Sequence, residues 1–337
     1  MSGPLGLGPG GVVAPPASSL RAYLPIVVAS VVLALVPLSL GGSRYFLSLG
    51  VHLLVVASYA VAFNLVFGST SQLFLCQGAL AGAAAYCSVI LGNRYGLPLW
   101  LTIPAGVGLA ALLGGGLSWV AVSRRLEVIY LGIVTLAFSL VFTNLLLGGR
   151  ELTGGETGLV VDGGAGTWLR SPAAAYYLFL ALLVGHLVVY RAIERSRLGW
   201  GFRALRDDEV AAALAGVDVA RAKVTAGVVG AAMLGSVGAT FAAHEGFVSP
   251  TTFAFGEVDV RVLVVLALGG VGTLLGPVVG AVVVTVVDEL LRPLGQLRLT
   301  VYGVVLVVIF LGFRQGMVRS VRSLWMRAGT RAGPRTD

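Results

Sequence analysis

The sequence predicts an all-α fold, a polytopic integral membrane helix bundle with about ten transmembrane segments, several of them short or broken. Three observations support this prediction. Of the 337 residues, 57% are hydrophobic and only 11% are charged, whereas soluble domains carry about 25% charged residues. The mean hydropathy is +0.94. The chain also contains 48 glycines, and small residues let transmembrane helices approach one another closely.

Apolar runs recur along the chain, and most are close to the roughly 20 residues that a helix needs to cross a bilayer. The predicted spans are 24–40, 45–67, 71–91, 100–122, 128–147, 173–190, 224–243 and a short last span at 301–313. Residues 262–287 are apolar throughout but contain a glycine-rich break between Gly269 and Pro277. We interpret this stretch as two short helices, or as a helix followed by a re-entrant segment.

The distribution of Lys and Arg predicts how the spans are oriented, because basic loops stay on the cytoplasmic side. The segment 191–223, the tail after residue 313 and the pair Arg124 and Arg125 are basic. The loops at 148–171 and 244–259 carry acidic residues and are expected outside. All basic regions agree if the glycine-rich break is a turn between two crossings, which gives about ten crossings with both termini inside.

Composition shifts along the chain predict its domain organisation. A Gly-, Pro- and Ala-rich stretch at 1–22 is expected to be a disordered cytoplasmic tail. A transmembrane domain follows at 23–315 and contains a large cytoplasmic loop at 191–223. A basic cytoplasmic tail completes the chain at 316–337.

The charged residues argue against several classes of function. No Asp or Glu lies inside a predicted span, and Glu127, Asp259 and Asp288 are expected at span edges, which argues against a proton-coupled carrier. Sodium coupling through carbonyl and hydroxyl groups stays open. The chain has no nucleotide-binding Gly-rich loop, so another subunit would have to use any ATP. No Cys/His cluster or catalytic arrangement occurs, so neither a metal site nor an enzyme site is expected. The net charge of +8 is spread between apolar runs, which argues against a nucleic-acid partner.

The loop at 191–223 contains a slim, alanine-rich helix with a charged start. Asp207 or Asp208 can cap this helix, Gly216 is a natural stop, and Asp218 can cap the helix that follows. An apolar stripe runs along it, formed by Val210, Leu214 and Val217. Such a helix suits docking into a groove on a soluble partner or lying at the membrane interface. The acidic start favours a protein partner, because an anionic lipid surface would repel it.

The loop and several other stretches of the chain resemble a known family. The loop is similar to the coupling segment of ABC importer permeases, where an acid-Ala-Ala…Gly stretch contacts the ATPase. The stretch 203–217 is similar to LivM-type permeases of branched-chain amino-acid importers. Further stretches agree in order and spacing, and together they cover about residues 45–315; they lie at 64–86, 130–159, 246–255 and 268–281.

The resemblance implies a permease subunit of an ABC importer for Leu, Ile or Val that couples to cytosolic ATPases. The residues expected to contact the ATPase are Arg203, Arg206, Asp207, Asp208, Glu209, Ala212 and Gly216. The translocation pathway is expected to include Asn64, Gln72, Gln77, Thr135, Gly269, Gly270, Gly272, Gly276 and Pro277. A solute-binding protein is expected to dock at Thr153, Gly154, Gly155 and Gly158.

These residues also have structural interpretations. Helix packing alone explains a small-residue stripe formed by Gly272, Gly276 and Gly280. The glycines of the outer loop allow turns. Asn64 and Gln72 can simply hydrogen-bond neighbouring helices, and Glu245 and Arg261 can mark membrane edges.

The resemblance also implies partners and a location. The partners would be two ABC ATPase subunits, a second homologous permease, an extracytoplasmic solute-binding protein and membrane lipid. The location would be the bacterial cytoplasmic (inner) membrane, and no cofactor is expected in this chain. One departure concerns the solute, because Phe74, Cys76 and Gln77 stand where the family usually has Ser, Gly and His. An ABC permease for urea, amides or other amino acids is therefore an alternative, as is a stand-alone channel or secondary carrier.

Overall fold

The computed structural model describes residues 23–39, 43–161, 169 and 171–294, and this part of the chain is mostly helical. Its helices are α1 (Leu24–Ser39), α2 (Arg44–Thr70), α3 (Gln77–Tyr95), α4 (Leu99–Ser123), α5 (Val128–Gly148), α6 (Arg150–Thr153), α7 (Pro172–Arg195), α8 (Arg197–Asp207), α9 (Glu209–Leu214), α10 (Val219–Glu245), α11 (Asp259–Gly269) and α12 (Gly276–Leu290). Two-residue strands β1 (Leu159–Val160) and β2 (Phe247–Val248) pair in an antiparallel arrangement. The predicted last span and both predicted tails lie outside the described residues.

Five helices, α2, α4, α5, α7 and α10, are long and apolar enough to cross a membrane. They coincide with five of the predicted spans. The shorter helix α1 is also apolar, and α3, α11 and α12 pack against the long helices. The chain is therefore a multi-span membrane helix bundle. The pairing of β1 with β2 was not predicted from the sequence.

The predicted span at 71–91 is wrong at its start, because the helix begins only at Gln77. α2 ends where Ser71 adopts a left-handed conformation (φ 55°), and residues 71–76 then continue without helical structure. Non-helical backbone at membrane depth needs partners within the protein. The amide N–H of Leu75 finds one in Thr135 Oγ1 at 2.9 Å, and the Gln72 side chain ties the segment to the Lys223 carbonyl oxygen at 2.9 Å.

The glycine-rich break joins two short helices, α11 and α12, as one of the two sequence interpretations predicted. The turn between them contains Gly270 and Gly272, which have φ values of 110° and 73°. Asn64 of α2 holds this turn from both sides: its Nδ2 donates to the Thr273 carbonyl oxygen at 2.9 Å, and its Oδ1 accepts from the Gly272 N–H at 2.7 Å. α11 and α12 then pack against each other and against α2.

The centre of the bundle is formed by α2 and α10, which are the most buried of the long helices. α10 packs against α4, α3 and α2. The approach of α10 to α3 requires glycine, since a β-carbon on Gly238 would collide with the Ala81 carbonyl oxygen. On α4, a β-carbon on Gly106 would meet the Ala84 carbonyl oxygen in the same way. Small residues therefore set the helix spacing, as the glycine content predicted.

The outer surface of α4 indicates how the bundle sits in a membrane. Trp100 and Trp119 lie near opposite ends of α4 and are 75% and 65% exposed. Their separation in sequence corresponds to about 28 Å along a helix that rises 1.5 Å per residue. This distance is close to the roughly 30 Å thickness of the bilayer hydrocarbon, at whose two boundaries tryptophan is enriched. α4 therefore presents a lipid-facing surface.

Candidate functional site

The predicted cytoplasmic helix is α9, and Asp208 rather than Asp207 caps it. The Asp208 carboxylate accepts hydrogen bonds from the N–H groups of Val210 and Ala211, at 2.8 and 2.9 Å. Asp207 is instead the last residue of α8. Gly216 adopts a left-handed conformation (φ 85°) after the helix, as its predicted role as a stop requires.

The three residues of the predicted apolar stripe differ in their exposure to solvent. Val210 and Leu214 are 69% and 86% exposed, whereas Val217 lies beyond the helix and is half-buried. Ala212 is buried against the rest of the loop. Because Val217 turns toward the bundle, the expectation of a single three-residue stripe is wrong. An exposed pair of aliphatic side chains remains on a short helix that Lys223 ties to α10 by an ion pair with Glu209 at 2.6 Å.

Two arginines of α8 have different environments. The Arg203 guanidinium stacks over the Trp200 ring at 4.8 Å. The Arg206 guanidinium reaches the turn between α11 and α12, where its Nη1 lies 2.7 Å from the position of the β-carbon that Gly272 lacks. A side chain at Gly272 would therefore displace Arg206. A cavity of about 490 Å³ lies here between α2, α7, α8 and the turn.

The four predicted polar pathway residues are all buried and fall into two groups. Asn64 holds the turn between α11 and α12, whereas Gln72, Gln77 and Thr135 surround the segment 71–76. Gln77 Nε2 donates to the Phe74 carbonyl oxygen at 3.2 Å. The carbonyl oxygens of the Gln72 and Gln77 side chains find no hydrogen-bond partner among the described residues. Asn64, Gln72 and Thr135 bond to other segments of the bundle, whereas Gln77 bonds within its own segment. The place of all four in the pathway stays a prediction.

The glycines of the predicted pathway permit a close approach of α11 to α12. A β-carbon on Gly269 would collide with the Gly276 carbonyl oxygen, and one on Gly280 would collide with the Val265 carbonyl oxygen. Pro277 is buried in the first turn of α12, where a missing N–H costs nothing. The geometry supports the packing interpretation for Gly276 and Gly280. A pathway role stays a prediction.

Asp259 is the first residue of α11, which agrees with its expected position at the edge of a span. It is fully buried, and its carboxylate accepts hydrogen bonds from the N–H groups of Gln77 at 2.5 Å and Gly78 at 3.2 Å. It therefore provides acceptors for the first N–H groups of α3, which no carbonyl oxygen of that helix can reach. Sequence reasoning missed it, because only the fold brings it to a helix start 182 residues away. The departures Phe74 and Cys76 are buried beside this junction.

The predicted docking residues form a tight turn in the loop that is expected to face outside. Gly154, Gly155 and Gly158 all have positive φ values, between 59° and 73°, so the interpretation that they allow turns is confirmed. Thr153 Oγ1 donates to the Leu146 carbonyl oxygen at 2.5 Å. The turn leads into β1, whose pairing with β2 joins the two outer loops. Docking of a binding protein here stays a prediction.

No group of three His, Cys, Asp or Glu side chains within the described residues could hold a metal ion. Both cysteines are free, with Cys76 buried and Cys87 half-buried.

Comparisons with known proteins agree with the resemblance noted in the sequence. Residues 45–313 match the family described as branched-chain amino acid transport system / permease component. The high-affinity branched-chain amino acid transport system permease protein LivM of Salmonella typhimurium is 30% identical over 86% of this chain and 74% of its own length. LivM of Escherichia coli is 31% identical over 77% and 66%, respectively. The autoinducer 2 import system permease protein LsrC of Enterobacter sp. is 28% identical over 71% and 70%. No solved structure matches the chain significantly.

Proposed function

Because this chain belongs to the branched-chain amino acid transport system permease family, we propose that it forms the translocation pathway of an ABC importer for Leu, Ile and Val. Membership makes it a transmembrane subunit without an ATPase domain, and it is not an enzyme. Permeases of this family generally work with ATPase and binding-protein partners.

The observation that best supports coupling is the pair of exposed aliphatic side chains, Val210 and Leu214, on the capped helix α9. Fully burying one such side chain stabilises an interface by about 1.5–3 kcal/mol, and α9 is short enough to enter a groove. Its neighbour α8 contacts the turn between α11 and α12 through Arg206. A movement of α8 and α9 caused by an ATPase would therefore be transmitted to α11 and α12, which pack on α2.

The complete transporter in this proposal contains two ATPase subunits, a second homologous permease and an extracytoplasmic solute-binding protein. ATP is used by the ATPases, and this chain holds no cofactor. The binding protein would deliver the solute at the turn that contains Gly154, Gly155 and Gly158. Alternating access would follow, with the pathway opening to one side of the cytoplasmic membrane at a time.

The topology in this proposal has about ten crossings, with both termini in the cytoplasm. Two observations support it. α11 and α12 are short helices that pack against each other and are joined by a turn, so the chain reverses its direction between them, as two crossings would require. The turn lies beside the basic helix α8, which the charge rule places on the cytoplasmic side.

Uptake of radiolabelled L-leucine tests the proposed solute. The chain is expressed with its partner subunits in cells that lack their own leucine uptake. We expect saturable, ATP-driven uptake that unlabelled isoleucine and valine inhibit and urea does not. Cells that express inactive ATPase subunits are the control. Uptake of urea or a short amide instead of leucine would contradict the assignment to branched-chain amino acids and favour the alternative permease class.

A further inference from the structure

Two adjoining cavities lie along the half of α2 that precedes Tyr59. The first, of about 350 Å³, is enclosed by α2, α10, α11 and the segment that follows β2. The second, of about 370 Å³, lies between α2, α11 and α12. Both are lined by His52 and Arg261, so they form one continuous recess. Since α2 ends at the cytoplasmic turn, this recess occupies the outer half of the bundle.

The first cavity has an apolar wall and one unpartnered hydroxyl group. Its wall includes Val55, Val56, Phe241, Phe253 and Val262. Tyr59 is only 4% exposed, and its hydroxyl makes no hydrogen bond to any other residue that the structure describes. A buried hydroxyl without a partner is unfavourable by about 1–3 kcal/mol, so a polar group of a ligand is a natural complement to it.

Two opposite charges border the same cavity. The exposed carboxylate of Glu257 and the half-buried guanidinium of Arg261 both line it, four residues apart around the start of α11. Arg261 also forms an ion pair with Asp288 of α12, whose carboxylate oxygen lies 4.0 Å from the guanidinium, longer than a direct hydrogen bond. Ionisable side chains in a membrane protein face the bundle interior or a water-filled cavity rather than lipid. The recess is therefore a hydrated part of the molecule.

We propose that this cavity binds an apolar α-amino acid as a zwitterion on the translocation pathway. Arg261 would bind its carboxylate, because a guanidinium offers paired donors to two oxygens. Glu257 would accept hydrogen bonds from its ammonium group, and the Tyr59 hydroxyl would donate to the carboxylate. The aliphatic side chain would lie against the apolar wall. The volume falls in the range of small-molecule sites, about 300–1,000 Å³.

This site rests on the proposed function and specifies how that function recognises its solute. It differs from the pathway residues predicted from the sequence, which lie at the segment 71–76 and at the cytoplasmic turn. It also gives Arg261 a role other than marking a membrane edge. Neither charge could be replaced by a neutral apolar residue without losing one end of the zwitterion.

The test compares Arg261→Gln and Glu257→Gln in the complete transporter, reconstituted with its ATPase subunits and binding protein. We expect leucine uptake to fall about tenfold or more in each variant, because each loses a charge-assisted contact with the solute. Assembly of the complex and ATP hydrolysis stimulated by the leucine-loaded binding protein are expected to persist. Fewer leucine molecules would then enter per ATP hydrolysed, which a merely structural defect would not produce.

Matched controls use exposed charges at the outer ends of other helices. Arg94→Gln on α3 and Glu245→Gln on α10 lie outside the cavity and are expected to leave uptake unchanged. If Arg261→Gln or Glu257→Gln fails to assemble, Tyr59→Phe tests the site instead. It removes only the hydroxyl oxygen and is expected to reduce leucine uptake several-fold. Uptake within twofold of wild type in Tyr59→Phe and in the assembled charge variants would overturn this site alone. No leucine uptake by the wild-type complex would overturn the proposed function and this site with it.

Discussion

At the scale of single residues, buried polar side chains hold the backbone where transmembrane helices begin, end or turn. Asp259 receives the first N–H groups of α3, Asn64 brackets the turn between α11 and α12, and Gln72 ties the segment 71–76 to α10. A lipid environment offers no hydrogen bonds to such backbone groups, so the protein has to supply them. These residues therefore permit the irregular backbone that crosses the bundle interior.

Asp259→Ala is expected to destabilise the chain, because the N–H groups of Gln77 and Gly78 lose their acceptor in a buried site. Each buried donor left without a partner costs about 1–3 kcal/mol. Asp259→Asn keeps one acceptor oxygen and is expected to be less destabilising. Thermal unfolding of the purified chain in detergent measures both effects, with the exposed Glu245→Ala as the control. Equal melting temperatures for Asp259→Ala and wild type would contradict this role.

At the scale of elements, α8 and α9 link a solvent-exposed surface to the turn between α11 and α12. α9 is held at its start by the Asp208 cap and by the ion pair between Glu209 and Lys223. α8 reaches Gly272 through Arg206. Because Asn64 holds the other side of that turn, a shift of the loop would be transmitted to α2 through short, direct contacts.

The double variant Glu209→Lys, Gly216→Pro is expected to abolish ATP-driven uptake. Lysine at 209 would repel Lys223, and proline cannot adopt the φ of 85° that Gly216 has. Uptake and ATP hydrolysis are measured together. ATP hydrolysis that continues without uptake would indicate uncoupling, and loss of both would indicate that the ATPase subunits no longer bind. Arg124→Gln, in the loop that follows α4, is the control. Unchanged uptake in the double variant would contradict the coupling role and favour a carrier that needs no ATPase.

At the scale of the whole molecule, the apolar outer surface and the charged recess lie on different helices of the bundle. α4 and α5 expose many apolar side chains, with Trp100 and Trp119 spaced like the two boundaries of a bilayer. The recess beside α2 carries the charges of Glu257 and Arg261 instead.

A tagged chain purified from its native membrane in mild detergent is expected to carry ATPase subunits and a second permease, which mass spectrometry identifies. Leu214→Asp is expected to lose the ATPases and retain the permease, because only the surface of α9 changes and its charged side chain would be buried unpaired. Recovery of the wild-type chain alone, in several detergents and with its fold intact, would contradict the importer proposal.

The sequence by itself predicted the membrane class, the positions of the long helices, the break between α11 and α12, the helical stop at Gly216 and the family. These features depend on composition, apolar length and local motifs, which are properties of neighbouring residues. It also named Asn64, Gln72, Gln77 and Thr135 as candidates for the translocation pathway, although not their hydrogen-bond partners.

Only the tertiary structure decided which distant groups meet. Asp259 receives the N–H groups of Gln77 and Gly78 across more than 180 positions, and Asn64 meets Gly272 across 208. The late start of α3 depends on such contacts, because the segment 71–76 is apolar enough to be helical. It is held in another conformation by the Thr135 hydroxyl of α5 and by the Lys223 backbone carbonyl of α10. Local pattern predicts which segments enter the membrane, whereas hydrogen-bond satisfaction among distant segments decides where each helix begins and which charges face a common cavity.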